Sequence, residues 1–162
     1  MIIAVPKEIQ KNQTRVAITP QATKEYIKSG LKVFIETEAG KKSFFKDSDF
    51  QDAGAKIVQN PNSLYKDADI ILKVVHPTID EISMFPSEVI FISLFQTTRQ
   101  VNIVKAMTDI KVTGFSMHLI PRPTLAQKMD ALSSQANIAG YKSVLIGSAK
   151  MPKYMPLLMT AA

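Results

Sequence analysis

Short apolar segments rich in β-branched residues most constrain the fold of this chain. Ile70 to Val75 is the clearest of them, because its only charged residue is Lys73 and Pro77 follows it closely. An apolar run of this length that ends near a proline is typical of a buried strand. The same pattern predicts further strands at Ile2 to Val5, Val33 to Ile35, Lys56 to Val58, Val89 to Leu94 and Val112 to Ser116.

Segments with helical features separate these strands. Thr19 is a suitable N-cap, Pro20 fits the first helical position, and Gly30 marks the end of that helix. Further helices are predicted from Ser48 to Gly54, over Leu64 and Tyr65 after a cap at Asn62 and Ser63, and over Val101 to Met107. Strands that alternate with helices and are apolar on both faces are typical of a covered parallel sheet. The sequence therefore predicts an α/β fold with a mostly parallel, Rossmann-like (flavodoxin-like) sheet and helices on both faces.

The pattern changes near residue 129. From about Met129 to Lys150, apolar and small residues recur at helical spacing, which predicts a long connecting helix. We therefore expect an N-terminal α/β domain at residues 1–128, and at 129–162 the connecting helix and a closing segment. Leu157 to Ala162 is apolar, and such a chain end usually docks onto something. The expectation is that the chain is the front portion of a longer protein or binds a separate polypeptide.

The residue inventory excludes several kinds of site. The chain has no cysteine, which excludes disulfides, thiolate metal ligands and a cysteine nucleophile. Its two histidines, His76 and His118, are far apart, so no metal site is expected. No apolar run reaches the roughly 18 residues of a membrane span. The six glycines are too far apart to form the G-x-G-x-x-G fingerprint, which argues against a self-sufficient dinucleotide site.

The net charge of +6 does not by itself indicate a nucleic-acid partner. Only three of the twenty basic residues are arginines, and the lysines are scattered singly or in pairs. Nucleic-acid readers usually present clustered arginines or interleaved aromatic residues. The distribution favours a solvated, lysine-rich surface, and we expect no nucleic-acid binding.

The segment from Arg122 to Asn137 is rich in hydrogen-bonding side chains. Arg122 offers a fork of donors, Asp130 offers acceptors, and Gln127 and Ser133 offer both. Asp130 and Ser133 are three residues apart and share one helix face. Such a set suits a carboxamide, which presents one acceptor and two donors. The alternative is a capped helix start, in which Asp130 is simply the carboxylate of the first turn.

Arg15 and Lys73 form a second candidate site. A lone lysine inside a β-branched strand is costly unless it lies at the strand end or finds an anion. The two cations could hold a small carboxylate together. The alternative is a strand-end lysine that reaches solvent.

Four stretches of the sequence carry a resemblance to one known superfamily. Thr14 to Pro20 reads T-R-V-A-I-T-P, and Lys73 to Pro77 matches a K-V-x-x-P strand end. Pro121 to Lys142 is close to the long signature P-R-x-x-x-A-Q-x-M-D-x-L-S-S-x-x-N-x-A-G-Y followed by Arg or Lys. Met159 to Ala162 is similar to the family's entry into a Rossmann domain. The chain resembles, over essentially its whole length, the alanine dehydrogenase and NAD(P) transhydrogenase α-subunit superfamily.

The resemblance implies a proton-translocating NAD(P) transhydrogenase of the inner membrane. In that family the α subunit binds NAD(H), a β subunit binds NADP(H), and hydride passes directly between the nicotinamides while protons cross a membrane channel. Arg122, Asp130 and Ser133 match positions that hold the nicotinamide, and Gln127 matches the residue that reaches toward the other nucleotide; Gln127 and Asp130 are the expected catalytic pair. The resemblance further implies a homodimer, the remainder of the α subunit with its Rossmann domain, and a peripheral place on the cytoplasmic face of the bacterial inner membrane.

The sequence also departs from the family pattern. Leu125 replaces a frequent second arginine, His118 replaces a frequent acidic residue, and Phe95 replaces the acid/base histidine of alanine dehydrogenases. Arg15 and Lys73 match the substrate-carboxylate pair of those dehydrogenases. The Rossmann domain that grips the NAD phosphates is missing, so the chain is expected to be a fragment or a split-gene product that is inactive alone. Alternatives are the N-terminal domain of an alanine dehydrogenase-like enzyme and a non-catalytic orphan fragment.

Overall fold

The computed structural model describes residues 1–153 of the chain. It divides into two compact units, Met1–Leu119 and Ile120–Ala162, the second of which is described as far as Lys153. The predicted closing segment, Leu157 to Ala162, lies outside the described residues. The division into a domain at 1–128 and a connecting segment at 129–162 stays a prediction.

The first unit contains a six-stranded sheet in which every pairing is parallel. Its strand order is β3-β2-β1-β4-β5-β6. The strands are β1 (Ile2–Val5), β2 (Lys32–Glu36), β3 (Lys56–Val58), β4 (Ile70–Leu72), β5 (Ile90–Ser93) and β6 (Thr113–Ser116). All six strands were predicted, and the expected α/β class is confirmed.

Five α-helices connect the strands of this unit within the described chain. They are α1 (Pro20–Lys28), α2 (Asp47–Asp52), α3 (Pro61–Tyr65), α4 (Ile79–Ser83) and α5 (Val101–Asp109), with 3-10 turns at Lys41–Ser43 and Met117–Leu119. The predicted cap of α1 is confirmed, because Thr19 Oγ1 accepts a hydrogen bond from the N–H of Ala22 at 3.2 Å.

Two helix starts differ from the prediction. Asn60, not Asn62, caps α3: its Oδ1 accepts a hydrogen bond from the N–H of Asn62 at 2.9 Å, and Pro61 takes the first helical position. Helix α2 begins at Asp47, one residue before the predicted Ser48. Helix boundaries inferred from capping patterns commonly shift by one or two residues, and at α2 the residue before the helix, Lys46, makes no side-chain capping hydrogen bond.

Helix α4 was not predicted, although the sequence carries a specific signature for it. Thr78 Oγ1 accepts a hydrogen bond from the N–H of Glu81, and a Glu81 carboxylate oxygen accepts one from the N–H of Thr78 at 2.8 Å. This is a capping box, which satisfies two backbone donors that a helix start leaves free. The helix is only five residues long, so the periodicity of apolar residues does not reveal it.

Apolar side chains cover both faces of the sheet, as alternating side-chain direction along buried strands requires. One core cluster contains Ile71 and Phe91 with residues of α3, α4 and α5; the other contains Val5 and Ile35 with Phe50 of α2. The predicted placement of helices on both faces is confirmed. This arrangement leaves the ends of the strands as the place for polar side chains.

The second unit begins with a polar turn and continues as one long helix. A 3-10 segment, Thr124–Met129, precedes α6, which runs over Ala131–Lys150. The predicted long helix is confirmed, but it begins at Ala131 because Asp130 is its N-cap. None of the helices in residues 1–153 is long and apolar enough to span a bilayer.

Gly40 should not tolerate a side chain. A Cβ atom there would lie 2.6 Å from Phe50 Cε2 and 2.9 Å from Phe45 Cβ, and the two rings pack edge to face in the core. We expect Gly40→Ala to lower the free energy of unfolding by about 1–3 kcal/mol, the usual cost of overpacking. Urea unfolding measures this, and Gly114→Ala is the matched control, because its Cβ would meet only Phe95 Cζ at 3.4 Å. Equal effects of the two substitutions would contradict the prediction.

Candidate functional site

The strand order places a topological switch point between β1 and β4. Strand β1 pairs with β2 on one side and with β4 on the other, and the chain crosses from one half of the sheet to the other between β3 and β4. Open α/β sheets bind ligands beyond the carboxyl ends of the strands at such a point. Here Glu8 follows β1 and Lys73 follows β4.

These two residues and Glu81 of α4 form a buried charged cluster, called the ion triad below. Lys73 Nζ lies 2.5 Å from Glu81 Oε1 and 3.6 Å from Glu8 Oε2. The Lys73 side chain has no exposed surface, and the two carboxylates are almost completely buried. The alternative given for Lys73, a strand-end lysine that reaches solvent, is therefore wrong. Burying this ammonium is possible because two carboxylates compensate its charge.

Glu8 also explains why β4 is shorter than predicted. The N–H of Lys73 still donates to the carbonyl oxygen of Ile92 at 3.0 Å, but the N–H of Val74 donates to Glu8 Oε1. The apolar run continues to Val75, yet strand β4 ends at Leu72. The carbonyl oxygen of Val74 still accepts from the N–H of Leu94 at 3.0 Å, so a side chain 66 residues away in sequence replaces only the acceptor for the Val74 N–H.

Burial dominates the electrostatics of the ion triad. Desolvation raises the pKa of the Glu8 carboxyl, although the Lys73 ammonium and hydrogen bonds from the N–H groups of Val74 and Val75 oppose it; the negative charge of Glu81 adds to the rise. Burial also raises the pKa of Tyr65, and the charge of Glu81 contributes. The neutral form of Glu8 is thus favoured more than in an exposed glutamate.

The stability of the protein should depend on pH through Glu8. Because the folded-state pKa is raised, the folded protein keeps the Glu8 proton at pH values where the unfolded chain has lost it. The stabilisation from this bound proton is complete below the ordinary glutamate pKa. It disappears as the pH rises through the raised pKa of the folded protein. Glutamine cannot ionise, so we expect Glu8→Gln to make the free energy of unfolding less dependent on pH between these two pKa values. Unfolding free energies of both proteins from pH 4 to 8 measure it; parallel profiles would contradict the assignment.

A cleft of about 550 Å³ opens beside the ion triad and contains Arg15. Glu8 also lines it, so Glu8 both contacts the Lys73 ammonium and faces the cleft of Arg15. Arg15 Nε donates to Gln13 Oε1 at 2.9 Å. Other lining residues are Lys7, Ile9, Thr14, Glu38, Ala39, Lys41 and Lys42. A role of Arg15 and Lys73 in holding a carboxylate stays a prediction.

The second unit carries the other predicted set, Arg122, Gln127, Asp130 and Ser133, called the polar turn below. Asp130 Oδ1 accepts a hydrogen bond from the N–H of Ser133 at 2.9 Å, which makes Asp130 the N-cap of α6. Hydrogen bonds from Ser133 hold the pKa of Asp130 below its usual range, and the charge of Arg122 acts in the same direction. The capped helix start proposed as the alternative is therefore present.

The capping hydrogen bond still leaves donor and acceptor groups of the polar turn available to a carboxamide. Arg122, Gln127 and Ser133 are exposed, and Asp130 is partly exposed. An ionised aspartate accepts hydrogen bonds at two oxygens, so an amide NH₂ group has an acceptor available, while Arg122 and Gln127 offer donors for a carbonyl oxygen. The donor and acceptor set fits the carboxamide of a nicotinamide ring; whether it binds one stays a prediction.

Sequence reasoning did not find Glu8 and Glu81. Glu8 belongs to the P-K-E segment after β1, and no local pattern marks it as the partner of a lysine 65 positions later. Glu81 could have been found through the capping box with Thr78. Among residues 1–153 no group of three histidine or acidic side chains is arranged to hold a metal ion.

Comparison with known proteins places the chain in one family. Residues 4–139 match the family model described as alanine dehydrogenase/PNT, N-terminal domain. Two similar relatives are the NAD(P) transhydrogenase alpha subunits of Haemophilus influenzae, 36% identical over 162 residues, and of Cereibacter sphaeroides, 35% identical over 162 residues. Each alignment covers 100% of this chain but 31% of the relative.

Solved structures give the same relationship. A transhydrogenase from Sinorhizobium meliloti superposes with a TM-score of 0.91 at 36% identity, covering 99% of this chain and 48% of that one. An L-alanine dehydrogenase superposes with a TM-score of 0.85 at 26% identity, covering 92% of this chain and 40% of the other. The chain thus spans less than half the length of these relatives. The resemblance inferred from the sequence motifs is confirmed: the chain belongs to the alanine dehydrogenase/PNT N-terminal domain family.

Proposed function

We propose that this chain is the N-terminal portion of the NAD(H)-binding α subunit of a proton-translocating NAD(P) transhydrogenase. Its contribution is to bind and orient the nicotinamide of NAD(H) for direct hydride transfer to NADP(H) on a β subunit. Relatives named as NAD(P) transhydrogenase alpha subunits match the chain over its full length, and the structure of a transhydrogenase superposes on 99% of it.

The polar turn is the observation that carries the proposal. Asp130 is held ionised by Ser133, and Arg122 adds a positive charge near it. A negatively charged acceptor next to a positively charged donor can fix the rotation of the carboxamide relative to the nicotinamide ring. That rotation determines which face of the ring points toward the second nucleotide. Gln127 lies in the 3-10 segment before the cap and is exposed, as a residue that reaches toward a second nucleotide would have to be.

The nicotinamide itself supplies the hydride chemistry when it is bound. The proposed role of this chain is positional. Asp130 accepts from the carboxamide NH₂ group, Arg122 and Ser133 donate to polar atoms of the same group, and Gln127 donates toward the facing nucleotide. No side chain has to act as an acid or a base, because alignment of two reacting rings accounts for most of the catalysis in such a transfer.

The further components belong to the same proposal. The remainder of the α subunit would carry the Rossmann domain that grips the NAD(H) phosphates, since residues 1–162 contain no phosphate fingerprint. A β subunit would bind NADP(H), a membrane channel would conduct protons, and α subunits would pair as homodimers. The chain would then lie peripherally on the cytoplasmic face of the inner membrane.

A second candidate function is that of an alanine dehydrogenase. An alanine dehydrogenase of Staphylococcus haemolyticus is 30% identical over 154 residues, and Arg15 and Lys73 match the carboxylate pair that the family resemblance implies. Phe95 argues against an alanine dehydrogenase activity, because the family resemblance places a catalytic histidine of alanine dehydrogenases at this position. The Phe95 ring is buried, and its centroid lies 5.9 Å from that of Phe91. Pyruvate-dependent oxidation of NADH by the completed α subunit would favour this alternative.

An NADH titration tests the proposal. NADH fluorescence should change little with the chain alone, and should report binding when the remainder of a transhydrogenase α subunit is supplied. Addition of an NADP(H)-loaded β subunit should then support hydride transfer without pyruvate. Absence of binding and of transfer in the reconstituted mixture would contradict the proposal.

A further inference from the structure

One half of the sheet carries an apolar face that is not closed. Residues opposite one another in a parallel ladder point to the same face, so the register of β4, β5 and β6 defines which side chains share it. We call the following set the open face: Ile70, Leu72, Ile90, Ile92, Thr113 and Phe115. On β1 and β2 the same face is closed, because Ile3 and Val33 there are only 3% and 2% exposed.

The two faces of strands β4 to β6 differ in exposure. Ile71 and Phe91, on the opposite face, have no exposed surface and belong to a core cluster. Ile90 and Ile92 of the open face are only half-buried, and Phe115 is 55% exposed. Neither core cluster of the described residues includes these three side chains. Parallel sheets are normally buried on both faces, so this exposed, uncharged surface is unusual for the fold.

The handedness of the crossovers explains why none of the described helices of the first unit closes the open face. A helix that connects two parallel strands almost always makes a right-handed crossover, so the direction of the strand order decides which face the helix covers. The order β1, β2, β3 runs one way across the sheet, and α1 and α2 pack on the face of Ile3. The order β4, β5, β6 runs the other way, and α4 and α5 pack on the opposite face. Crossovers between these strands therefore cannot cover the open face.

The open face is continuous with the core of the first unit. Ile70 and Leu72, at its inner margin, are half-buried and pack against the cluster that contains Val5 and Ile35. A helix laid over β5 and β6 would extend that cluster, since helices cover the faces of parallel sheets in α/β folds. The side of the helix that faces the sheet would have to be apolar, because Thr113 is the one polar side chain of the set and buried charges need partners.

We propose that the open face binds an amphipathic helix from the remainder of the α subunit, whose apolar side packs on Ile90, Ile92 and Phe115. The transhydrogenase that superposes on this chain has more than half of its length outside the matched region, so relatives contain the chain from which such a helix can come. A second copy would have to pack sheet against sheet, whereas α/β folds cover a parallel sheet with helices. The inference rests on the proposed function in that it assigns the chain to an α subunit, and it adds the surface that joins the two parts.

Thiol labelling tests this proposal, because the chain has no cysteine of its own. Phe115→Cys is made in the 162-residue chain and in an α subunit completed by joining a cysteine-free remainder of a transhydrogenase α subunit after Ala162. The thiol should react about 10-fold more slowly in the completed subunit, because a thiol must be exposed to react. Tyr26→Cys is the matched control, since Tyr26 is 39% exposed on α1, a helix that already covers the sheet. Its rate should stay within about twofold between the two proteins.

Isoleucine-methyl nuclear magnetic resonance of the unmodified sequence decides the question even if Phe115→Cys does not fold. A soluble paramagnetic agent should broaden the methyl signals of Ile90 and Ile92 in the chain alone and leave them sharp in the completed subunit. The methyl signal of Ile3, which is buried, should stay sharp in both proteins. Equal broadening in the two proteins, or equal labelling of a folded Phe115→Cys variant, would overturn the proposal.

Two further outcomes separate this inference from its alternatives. Protection of Phe115→Cys in the chain alone that increases with chain concentration would overturn the proposal, because the occupant would then be a second copy. An NADH titration of the completed subunit tests the proposed function by itself. NADH that binds while Phe115→Cys stays reactive would contradict only the helix docking, whereas protection of Phe115→Cys without NADH binding would contradict only the proposed function.

Discussion

Lys73→Met should lower the free energy of unfolding by about 3–5 kcal/mol, the usual cost of removing one partner from a buried ion pair. The methionine side chain is similar in length and fills the space, so the loss arises from charge and not from a cavity. Glu8 and Glu81 would remain buried without the ammonium that lies 3.6 Å and 2.5 Å from them. Guanidinium unfolding of the variant and of the unmodified chain measures the difference.

Lys41→Met is the matched control for this prediction. Lys41 also forms an ion pair, with Glu38, but both side chains are largely exposed, so its removal should cost far less than the removal of Lys73. Adding Glu81→Gln to Lys73→Met should recover some of the lost stability, because one uncompensated charge disappears. A loss from Lys73→Met as small as that from Lys41→Met would show that the triad is not a closed, water-excluded cluster.

Asp130→Asn should weaken NADH binding about 10- to 100-fold in the reconstituted α subunit. Hydrogen bonds to a charged group contribute about 1.5–3 kcal/mol, and each 1.4 kcal/mol changes a dissociation constant tenfold. The substitution keeps an oxygen able to cap the N–H of Ser133, so α6 should remain intact. Fluorescence titration measures the affinity, and far-ultraviolet circular dichroism checks the helix.

Lys128→Ala is the matched control for Asp130→Asn. Lys128 is exposed in the same 3-10 segment and lies at a position that the family signature leaves open. Its replacement should leave the NADH affinity within about twofold, below the roughly 10-fold effect that corresponds to 1.4 kcal/mol. If Lys128→Ala and Asp130→Asn weaken binding equally, the effect of Asp130 would be one of general charge and not of a specific contact.

The sequence predicts the sheet well because each buried strand can be recognised from its own local run of apolar residues. Ile70 to Leu72 and Ile90 to Ser93 are apolar on both faces, and that pattern requires a covered parallel sheet. The local pattern does not predict where a strand ends, because long-range contacts determine that. After β4 ends at Leu72, Glu8 accepts the hydrogen bond from the N–H of Val74. Local sequence does not identify Glu8 as the partner of Val74.

The candidate sites were predicted to different degrees. The polar turn stands out because Arg122 to Ser133 are close in sequence and the start of α6 joins two of its members, Asp130 and Ser133, by a capping hydrogen bond. The ion triad does not, because its members come from three elements that only the folded sheet brings together. Lys73 was recognised as an anomaly in an apolar strand, but the partners that resolve it were not.

Nuclear magnetic resonance of the polar turn tests the central claim most directly. In a sample of ¹⁵N-labelled chain reconstituted with the remainder of an α subunit, the amide of Ser133 reports on the Asp130 carboxylate that accepts from it. NADH should shift the amides of Ser133 and Gln127, with the same dissociation constant as the fluorescence titration. NADH that binds to the mixture while the amides from Arg122 to Ser133 stay unchanged would contradict the account.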